Sequence, residues 1–393
     1  MKEWKEYKID DIAEPNPKVK LEKGQVYARI EMEDVEPLSR YVKTSKTIVF
    51  DGSGGSRFKH GDILFARITP CLENRKIAQA SILELEYGIG STEFFVLRAR
   101  EGFDRTFLFY LLKTDLVVDI AVNSMVGASG RQRADWNFIK KIKLKLPPLS
   151  IQHQIAGVLG KYDDLIANYE QQIYLLEQTA KELYREWFVR GRCPMGNEGW
   201  KEISITDICT IGRGSSPRPI NDETFFKDGT IPWIKIADVT ASGKFLYSTK
   251  EYVNEHGASF SRLLPKGSLI IAASGSLGIV SILGVEGCIH DGWIYFTDYK
   301  SGISPNFLYL MLYNLTEYLN NMSYGAAIQN INTDILRETP LMLPSIEVTN
   351  RFNEIVIPID ESIDILSKQI ATLRTTRDKL LPRLLRGDLL ATD

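Results

Sequence analysis

The side chains best suited to chemistry in this chain are polar and cationic residues in glycine-rich segments. Arg57 and Lys59 follow the segment 52–55, and Arg131 and Arg133 follow Gly130. Arg and Lys can bind phosphates or pair with guanine, and Asn and Gln can pair with adenine in the major groove. One such segment alone is more typical of a surface turn, but their recurrence in both halves of the chain favours contact with DNA. The candidates are Arg57, Lys59, Arg67, Thr69, Asn74, Arg75, Lys76, Arg131, Gln132 and Arg133 in the first half, and Arg213, Ser215, Ser216, Arg218, Ser274, Ser276, His290, Gln329 and Asn330 in the second.

Catalytic motifs are missing from the same segments. The chain has no Gly-x-x-x-x-Gly-Lys-Ser/Thr sequence, and residues 212–216 lack the strand–helix context of a phosphate-binding loop. Pro147-Pro148 is flanked by leucines, unlike the polar motif of amino-methyltransferases. None of the four histidines pairs at metal-ligand spacing, and for His290-Asp291 a structural or DNA-contact role is favoured over acid–base catalysis. We therefore predict neither a catalytic nor a metal site.

Composition indicates a soluble globular protein. Of 393 residues, 44% are hydrophobic and 25% are charged, as in ordinary soluble domains. There is no run of about 18 apolar residues and no signal-peptide pattern, so a cytoplasmic protein without a membrane span is expected. The four cysteines are scattered without a Cys-x-x-Cys pair, and we interpret them as reduced thiols, neither disulfides nor zinc ligands.

Charge is distributed unevenly between the two halves. Residues 1–150 contain 25 Lys and Arg against 21 Asp and Glu, a balance of +4. Residues 193–347 contain 11 against 16, a balance of −5. A contact with nucleic acid must therefore come from individually placed cations, because a bulk basic surface is absent.

The two halves share one sequence pattern, repeated about 197 residues apart. Trp4-Lys5-Glu6 returns as Trp200-Lys201-Glu202, and each half closes with a long heptad segment. This period exceeds the 20 to 50 residues of a solenoid repeat, so it predicts two domain-plus-helix units that recognise a target with two halves. The predicted segments are a domain at 1–148, a helical spacer at 149–191, a second domain at 192–344 and a second helical spacer at 345–393.

The heptad segments predict two long helices that need a partner helix. Apolar residues recur at alternating steps of four and three, and this spacing keeps one apolar seam on a helix. The second seam is interrupted by Arg377. The expected seam comprises Tyr162, Ile166, Tyr169, Ile173, Leu176 and Leu183 in the first helix, and Ile359, Ile363, Leu366, Ile370, Leu373 and Leu380 in the second.

Capping residues mark the expected ends of these helices. Ser150 and Ser345 are plausible N-caps, and Gly191 and Gly387 occupy positions where a C-cap glycine is expected. Pro358 is expected to start or kink the second helix, because an interior proline removes a backbone hydrogen bond.

Chain connectivity predicts how the helices run. The first helix leaves the first domain and reaches the second, so the helix that follows the second domain must run back. The expected fold is α+β, with two mixed α/β domains joined by a long antiparallel two-helix coiled coil in a pseudo-twofold dumbbell. Strands are predicted at 61–67, 92–98, 267–272 and 293–296, and helices at 105–119 and 305–320.

Several of these segments resemble those of a known family. GDILFARITPCLENRKIA with GSTEFFVLR in the first domain, and KGSLIIAASGSLGI with HDGWIYF in the second, resemble target-recognition domains. LPPLSIQHQIA and LPSIEVTNRF resemble the conserved helical regions of the same family. Over nearly its whole length, the chain is similar to the specificity subunit of a Type I restriction–modification system.

The resemblance implies a DNA reader without catalysis of its own. Such subunits bind a bipartite, asymmetric site on double-stranded DNA, one half per target-recognition domain, with the helices acting as a ruler. They dock two modification subunits, which use S-adenosylmethionine to methylate adenine, and restriction subunits, which translocate DNA with ATP and Mg²⁺. No cofactor is expected on this chain.

Two other functions remain open at this stage. The chain could be a scaffold that bridges two proteins without reading DNA, or a stand-alone DNA-modifying enzyme. Sequence-dependent binding to duplex DNA would exclude the scaffold, and activity of the purified chain with cofactor and metal would favour the enzyme.

Overall fold

The computed structural model describes residues 4–42, 46–81, 85–128, 130–273, 278–300, 302–322 and 333–387. The chain forms two compact units: unit 1 comprises Met1–Glu170 with Gln369–Asp393, and unit 2 comprises Gln171–Lys368. Each boundary falls inside a long helix, so each unit contains part of both helices.

The described residues of unit 1 form three sheets. One has the strand order β2-β9-β6-β7 and is antiparallel, and a second has the order β4-β3-β8-β5 with a parallel pair at its centre. A third sheet pairs the first and last strands, β1 with β10. The strands are β1 (Lys5–Lys8), β2 (Ala13–Pro15), β3 (Val26–Ile30), β4 (Thr47–Val49), β5 (Ser56–Lys59), β6 (Ile63–Ala66), β7 (Ile77–Gln79), β8 (Tyr87–Gly90), β9 (Phe94–Ala99) and β10 (Lys143–Leu146).

Unit 2 repeats this topology with one added strand. Its sheets have the orders β12-β20-β17-β18-β14, β15-β13-β19-β16 and β11-β21. The pair at the centre of the second sheet, β13 with β19, is again parallel, and the added strand β14 also pairs parallel with β18. The strands are β11 (Lys201–Ile203), β12 (Thr210–Arg213), β13 (Ile231–Ile234), β14 (Phe245–Leu246), β15 (Glu251–Val253), β16 (Arg262–Leu264), β17 (Leu269–Ala272), β18 (Val280–Leu283), β19 (Gly287–Ile289), β20 (Trp293–Thr297) and β21 (Leu341–Leu343).

The central strands are apolar on both faces because each face is covered. In unit 1, Phe65 and Phe95 belong to a core cluster with the helices, whereas Leu64 and Phe94 belong to a cluster with the second sheet. Alternate residues of a strand point to opposite faces, so a continuous apolar run such as 63–66 suits a layer buried on both sides. The same division in unit 2 confirms the predicted repeat and the α+β class.

The helix predicted at 105–119 is wrong as a single element. Two helices occupy this region, and the break falls at Lys113 and Thr114. Asp104 caps the first of them by accepting hydrogen bonds from the amides of Thr106 and Phe107 at 2.8 and 2.7 Å. The helices of unit 1 before the long helix are α1 (Ile9–Ile12), α2 (Arg105–Leu112), α3 (Asp115–Asn123) and α4 (Trp136–Ile139).

The long helices are α5 (Leu149–Tyr184), extended by a π-helical turn at Arg185–Val189, and α11 (Ile346–Leu385). Every predicted seam residue is buried or half-buried, which confirms the heptad register. The other helices of unit 2 are α6 (Ile205–Ile208), α7 (Ile236–Ser242), α8 (Glu255–Ser259), α9 (Pro305–Met322) and α10 (Thr333–Glu338).

Three of the four predicted caps agree with the ends of the long helices. Ser345 caps α11, where its Oγ accepts a hydrogen bond from the Val348 amide at 3.4 Å. Gly387 and Gly191 adopt φ of 82° and 67°, the left-handed region that glycine tolerates. Ser150, however, lies inside the first turn of α5. Helix α11 runs through Pro358, so this proline does not start the helix, and the alternative of a kink there stays a prediction.

Arg377, which interrupts the heptad seam, forms a buried ion pair in unit 1. Its side chain is 10% exposed, and its Nη1 donates to Asp163 on α5, whose side chain is 3% exposed. The Tyr110 hydroxyl donates to the other carboxylate oxygen of Asp163. Arg374 also donates to Glu170 at 2.7 Å. Because residue numbers fall along α11 as they rise along α5, these two segments are antiparallel.

Candidate nucleic-acid interface

In unit 1, four predicted DNA contacts gather around a carboxylate. Glu93 lies in the turn between β8 and β9, residues 91–93, and accepts hydrogen bonds from Arg133 Nε at 2.9 Å and Nη2 at 2.5 Å. Arg67 Nε lies 4.0 Å from the same carboxylate. Thr69 and Gln132 join the segments that carry the two arginines, through Thr69 N to Gln132 O at 3.0 Å and Gln132 N to Thr69 Oγ1 at 3.1 Å.

The electrostatics of this turn keep Glu93 ionised. The hydrogen bond from Arg133 lowers the pKa of Glu93, although partial burial acts in the opposite direction. Arg67 stacks over the Phe95 ring at 4.8 Å from its centroid, which fixes the plane of the guanidinium. The site therefore holds two oriented guanidinium groups, the geometry that suits bidentate contact with a guanine or a phosphate.

The other candidates of unit 1 do not join this cluster. Arg75 donates to Asp115 at 2.6 Å and to the Lys113 carbonyl at 3.3 Å. Its guanidinium therefore binds the first residue of helix α3 and the link between α2 and α3. Lys76 Nζ donates to the Met32 carbonyl at 2.9 Å. The Lys59 amide donates to Asp62 at 2.8 Å. Asn74 and Arg131 are exposed.

Sequence reasoning missed two lysines near Arg57. Arg57 Nη1 donates to the Val19 carbonyl at 3.5 Å, and Val19 lies between the exposed residues Lys18 and Lys20. Arg57, on β5, therefore reaches the loop between β2 and β3 that carries Lys18 and Lys20. The sequence feature that could have identified Lys18 and Lys20 is the pair of lysines two positions apart, shortly after a strand that ends in proline.

In unit 2, three predicted residues gather around Asp291. The turn between β19 and β20, residues 290–292, places its carboxylate within reach of Arg218 Nη2 and of Ser216 Oγ, the latter at 3.1 Å. Arg213 Nε donates to the Asp291 carbonyl at 2.9 Å. Burial opposes ionisation of Asp291, but the hydrogen bond from Ser216 and the charge of Arg218 outweigh it and lower the pKa.

His290 has a structural role in the same turn. Its Nδ1 accepts a hydrogen bond from the Gly292 amide at 2.7 Å, and its ring contacts Trp233 and Trp293. Burial lowers the pKa of His290, so the imidazole is neutral at pH 7. Nearby, the Ser215 carbonyl accepts from Ser261 Oγ at 2.7 Å.

Gly214 allows the Arg213 segment to approach the turn. A β-carbon at this position would lie 2.1 Å from the His290 carbonyl oxygen, closer than any ordinary contact. We predict that Gly214→Ala lowers the free energy of unfolding by about 1–3 kcal/mol, because the backbone must shift. Denaturant titration measures this loss, and Gly54→Ala, where nothing lies within 4 Å, should show much less. Equal stabilities of the two variants would contradict the packing argument.

Some candidates cannot be placed. Ser274, Ser276, Gln329 and Asn330 lie outside the described residues.

Within the described part of the chain, no cluster of three His, Cys, Asp or Glu side chains could hold a metal ion. Over the same residues, no helix combines the length and apolar character needed to cross a bilayer. All four cysteines are free thiols in the structure.

Comparison with known proteins gives a family match over both halves. The Type I restriction modification DNA specificity domain matches residues 1–178 and again residues 197–375. The two matches reproduce the internal repeat and together cover most of the chain.

Curated relatives and a solved structure agree with this match. The HindI specificity subunit of Haemophilus influenzae is 24% identical over 487 aligned residues, covering 99% of this chain and 100% of the relative. The MjaIX specificity subunit of Methanocaldococcus jannaschii is 24% identical over 309 residues, covering 74% and 70%. The crystal structure of a Type I restriction–modification S subunit from M. genitalium has a similar fold, with a TM-score of 0.55, 17% identity and coverage of 98% and 96%.

Proposed function

The chain belongs to the family of Type I restriction–modification DNA specificity subunits, and we propose that its two units read the two halves of a bipartite, asymmetric DNA target. The observation that carries this proposal is the recurrence of an arginine cluster at one place in the fold. Glu93 precedes β9 and Asp291 precedes β20, which occupy the same position in the strand order of their sheets.

The two clusters share a scaffold but differ in their side chains. Unit 1 presents Arg67 and Arg133, and unit 2 presents Arg213, Ser216 and Arg218. Bidentate arginine contacts discriminate guanine by about 1–3 kcal/mol each. Different side chains on equivalent turns suit two different short sequences, as an asymmetric target requires.

The proposal includes partners for the helices. Two modification subunits dock on α5 and α11, supply S-adenosylmethionine and methylate adenine, and restriction subunits supply the ATP- and Mg²⁺-dependent steps. Exposed apolar residues on the helices support such docking: Val158 and Leu165 in unit 1 are 44% and 39% exposed, and Ile357 and Ile365 in unit 2 are 37% and 55% exposed. In this proposal the chain itself is not catalytic and acts in the cytoplasm, with the DNA.

Sequencing of methylated adenine tests this function directly. Cells that contain the modification subunit should show a bipartite methylated motif with this chain and lose it without the chain. The sequence of this motif gives the bases of both half-sites. No change in methylation, together with a stable complex on size analysis, would favour the protein-bridging scaffold over a DNA reader.

We predict that Arg133→Ala weakens recognition of one half-site and Arg213→Ala weakens the other, each by about 1–3 kcal/mol. Binding by the complex with modification subunits is measured on duplexes that alter one half-site at a time. Arg100→Ala is the matched control, because Arg100 follows the opposite end of β9 from Glu93. Equal losses on all duplexes would leave phosphate contact as the only role of these arginines.

A further inference from the structure

Glu93 uses only part of the donor capacity of Arg133. The contacts described above involve Nε and Nη2 of the guanidinium. Arginine has five N–H donors in a planar fork, so Nη1 and the second hydrogen of Nη2 form another donor pair. The Glu93 side chain is 22% exposed and that of Arg133 is 45% exposed. The carboxylate is therefore the more enclosed partner, and the arginine is the more accessible one.

Asp291 makes the equivalent arrangement with different groups. Its carboxylate binds Arg218 and Ser216, while its carbonyl accepts from Arg213 Nε. The Ser216 hydroxyl also accepts a hydrogen bond from the Asp291 amide at 3.2 Å. The Arg218 side chain is 67% exposed and that of Asp291 is 45% exposed. Both turns thus place an acidic residue beneath accessible arginines, although the acidic residues and their partners differ.

A carboxylate in this position has two physical effects on DNA binding. It limits the rotamers of the arginine, so less conformational freedom is lost when the remaining donors meet a base edge. It also repels phosphate groups and cancels part of the arginine charge, which reduces the sequence-independent component of affinity. Both effects increase the ratio of specific to non-specific binding.

We propose that Glu93 and Asp291 are positioning residues that determine specificity, each by holding arginines in the orientation for base contact and by opposing contact with phosphate. This inference rests on the proposed function, because it assigns these carboxylates a role in reading the two half-sites. It predicts that neither residue is needed for affinity as such. Each is needed for the preference of its own unit for one half-site.

The test uses Glu93→Gln and Asp291→Asn in the complex of the full chain with modification subunits. Both variants keep the shape of the side chain and remove its charge. Binding is measured over a range of salt concentrations on duplexes that carry the bipartite motif found by sequencing methylated adenine. Further duplexes have the first half, the second half or both halves of that motif scrambled. Glu101→Gln and Asp298→Asn are the matched controls, because these exposed carboxylates follow the far ends of β9 and β20.

We expect Glu93→Gln to tighten binding to fully scrambled DNA by about five-fold, since one repulsive charge near the phosphates is removed. The salt slope on this DNA should steepen by about one. Preference for one half-site should fall by about ten-fold while the other is retained. Asp291→Asn should have the same effects on binding to scrambled DNA and on the salt slope, and should reduce the preference for the opposite half-site. The two control variants should change neither non-specific binding nor half-site preference. Unfolding midpoints should stay close to wild type.

Other results would overturn the inference in distinguishable ways. Unchanged specificity in both variants, or weaker binding to every duplex with a lower unfolding midpoint, would reduce the carboxylates to a structural role. In either case the wild-type preference for its motif would still support the proposed function. A wild-type complex without any sequence preference would instead overturn the proposed function, and the inference with it.

Discussion

Replacing Phe352 with alanine is expected to lower the free energy of unfolding by about 3–5 kcal/mol, as for other buried aromatic residues. Phe352 on α11 is fully buried in unit 2. Its ring packs against Phe188, Trp187 and Phe307 at centroid distances of 4.9, 5.5 and 5.7 Å. Truncation leaves a cavity that these rings cannot fill without losing their mutual edge contacts. The loss should therefore be large.

Denaturant titration followed by tryptophan fluorescence measures this effect. Ile365→Ala on the same helix is the control, because its side chain is 55% exposed and surface substitutions usually change stability by no more than about 0.5 kcal/mol. Similar unfolding midpoints for the two variants would mean that the aromatic contacts of Phe352 contribute little to the packing of α11 in unit 2.

The second large effect is expected at the buried ion pair of Lys244 and Asp360. Their side chains are only 1% and 2% exposed, and Lys244 donates to Asp360. Burial lowers the pKa of Lys244 and raises that of Asp360, while their mutual attraction opposes both shifts. Removing one partner leaves an uncompensated buried group, so Lys244→Met should lower the free energy of unfolding by about 3–5 kcal/mol.

A double-mutant cycle separates the interaction energy between Lys244 and Asp360 from the contribution of each residue on its own. The variant with both Lys244→Met and Asp360→Leu should be near wild type in stability, because two apolar groups of similar volume need no compensation. Arg351→Met is the control, since the pair of Arg351 with Glu354 is 62% exposed on both sides and should contribute less than about 1 kcal/mol. Additive losses in the cycle would show that the two buried groups are not coupled.

Periodicity made the helices and the repeat predictable from the sequence. The 4-3 spacing of apolar residues requires only local geometry, so the register of Ile166, Ile363 and Ile370 was correct before any partner was known. The apolar runs of β6 and β17 likewise indicated strands, since a layer covered on both faces has no polar face. The break between α2 and α3 was missed because apolar periodicity continues across Lys113 and Thr114.

The role of Arg377 shows where local reasoning stops. In the sequence it is a defect in an apolar seam, and in unit 1 it is neutralised by Asp163, 214 positions earlier in the chain. No local pattern reports such a pair, because the attraction between the charges depends on a distance that only the folded chain fixes.

Local patterns along the chain were therefore enough to predict the repeat, the two long helices, the mixed sheets and the kinds of side chain available to contact DNA. Only the folded chain brings particular side chains together. It joined Arg67, Thr69, Gln132 and Arg133 at Glu93, joined Arg213, Ser216 and Arg218 at Asp291, and placed Arg75 against Asp115. The physical reason is that helices and strands follow from periods of a few residues, whereas a binding cluster requires segments far apart in the chain to meet within hydrogen-bond distance.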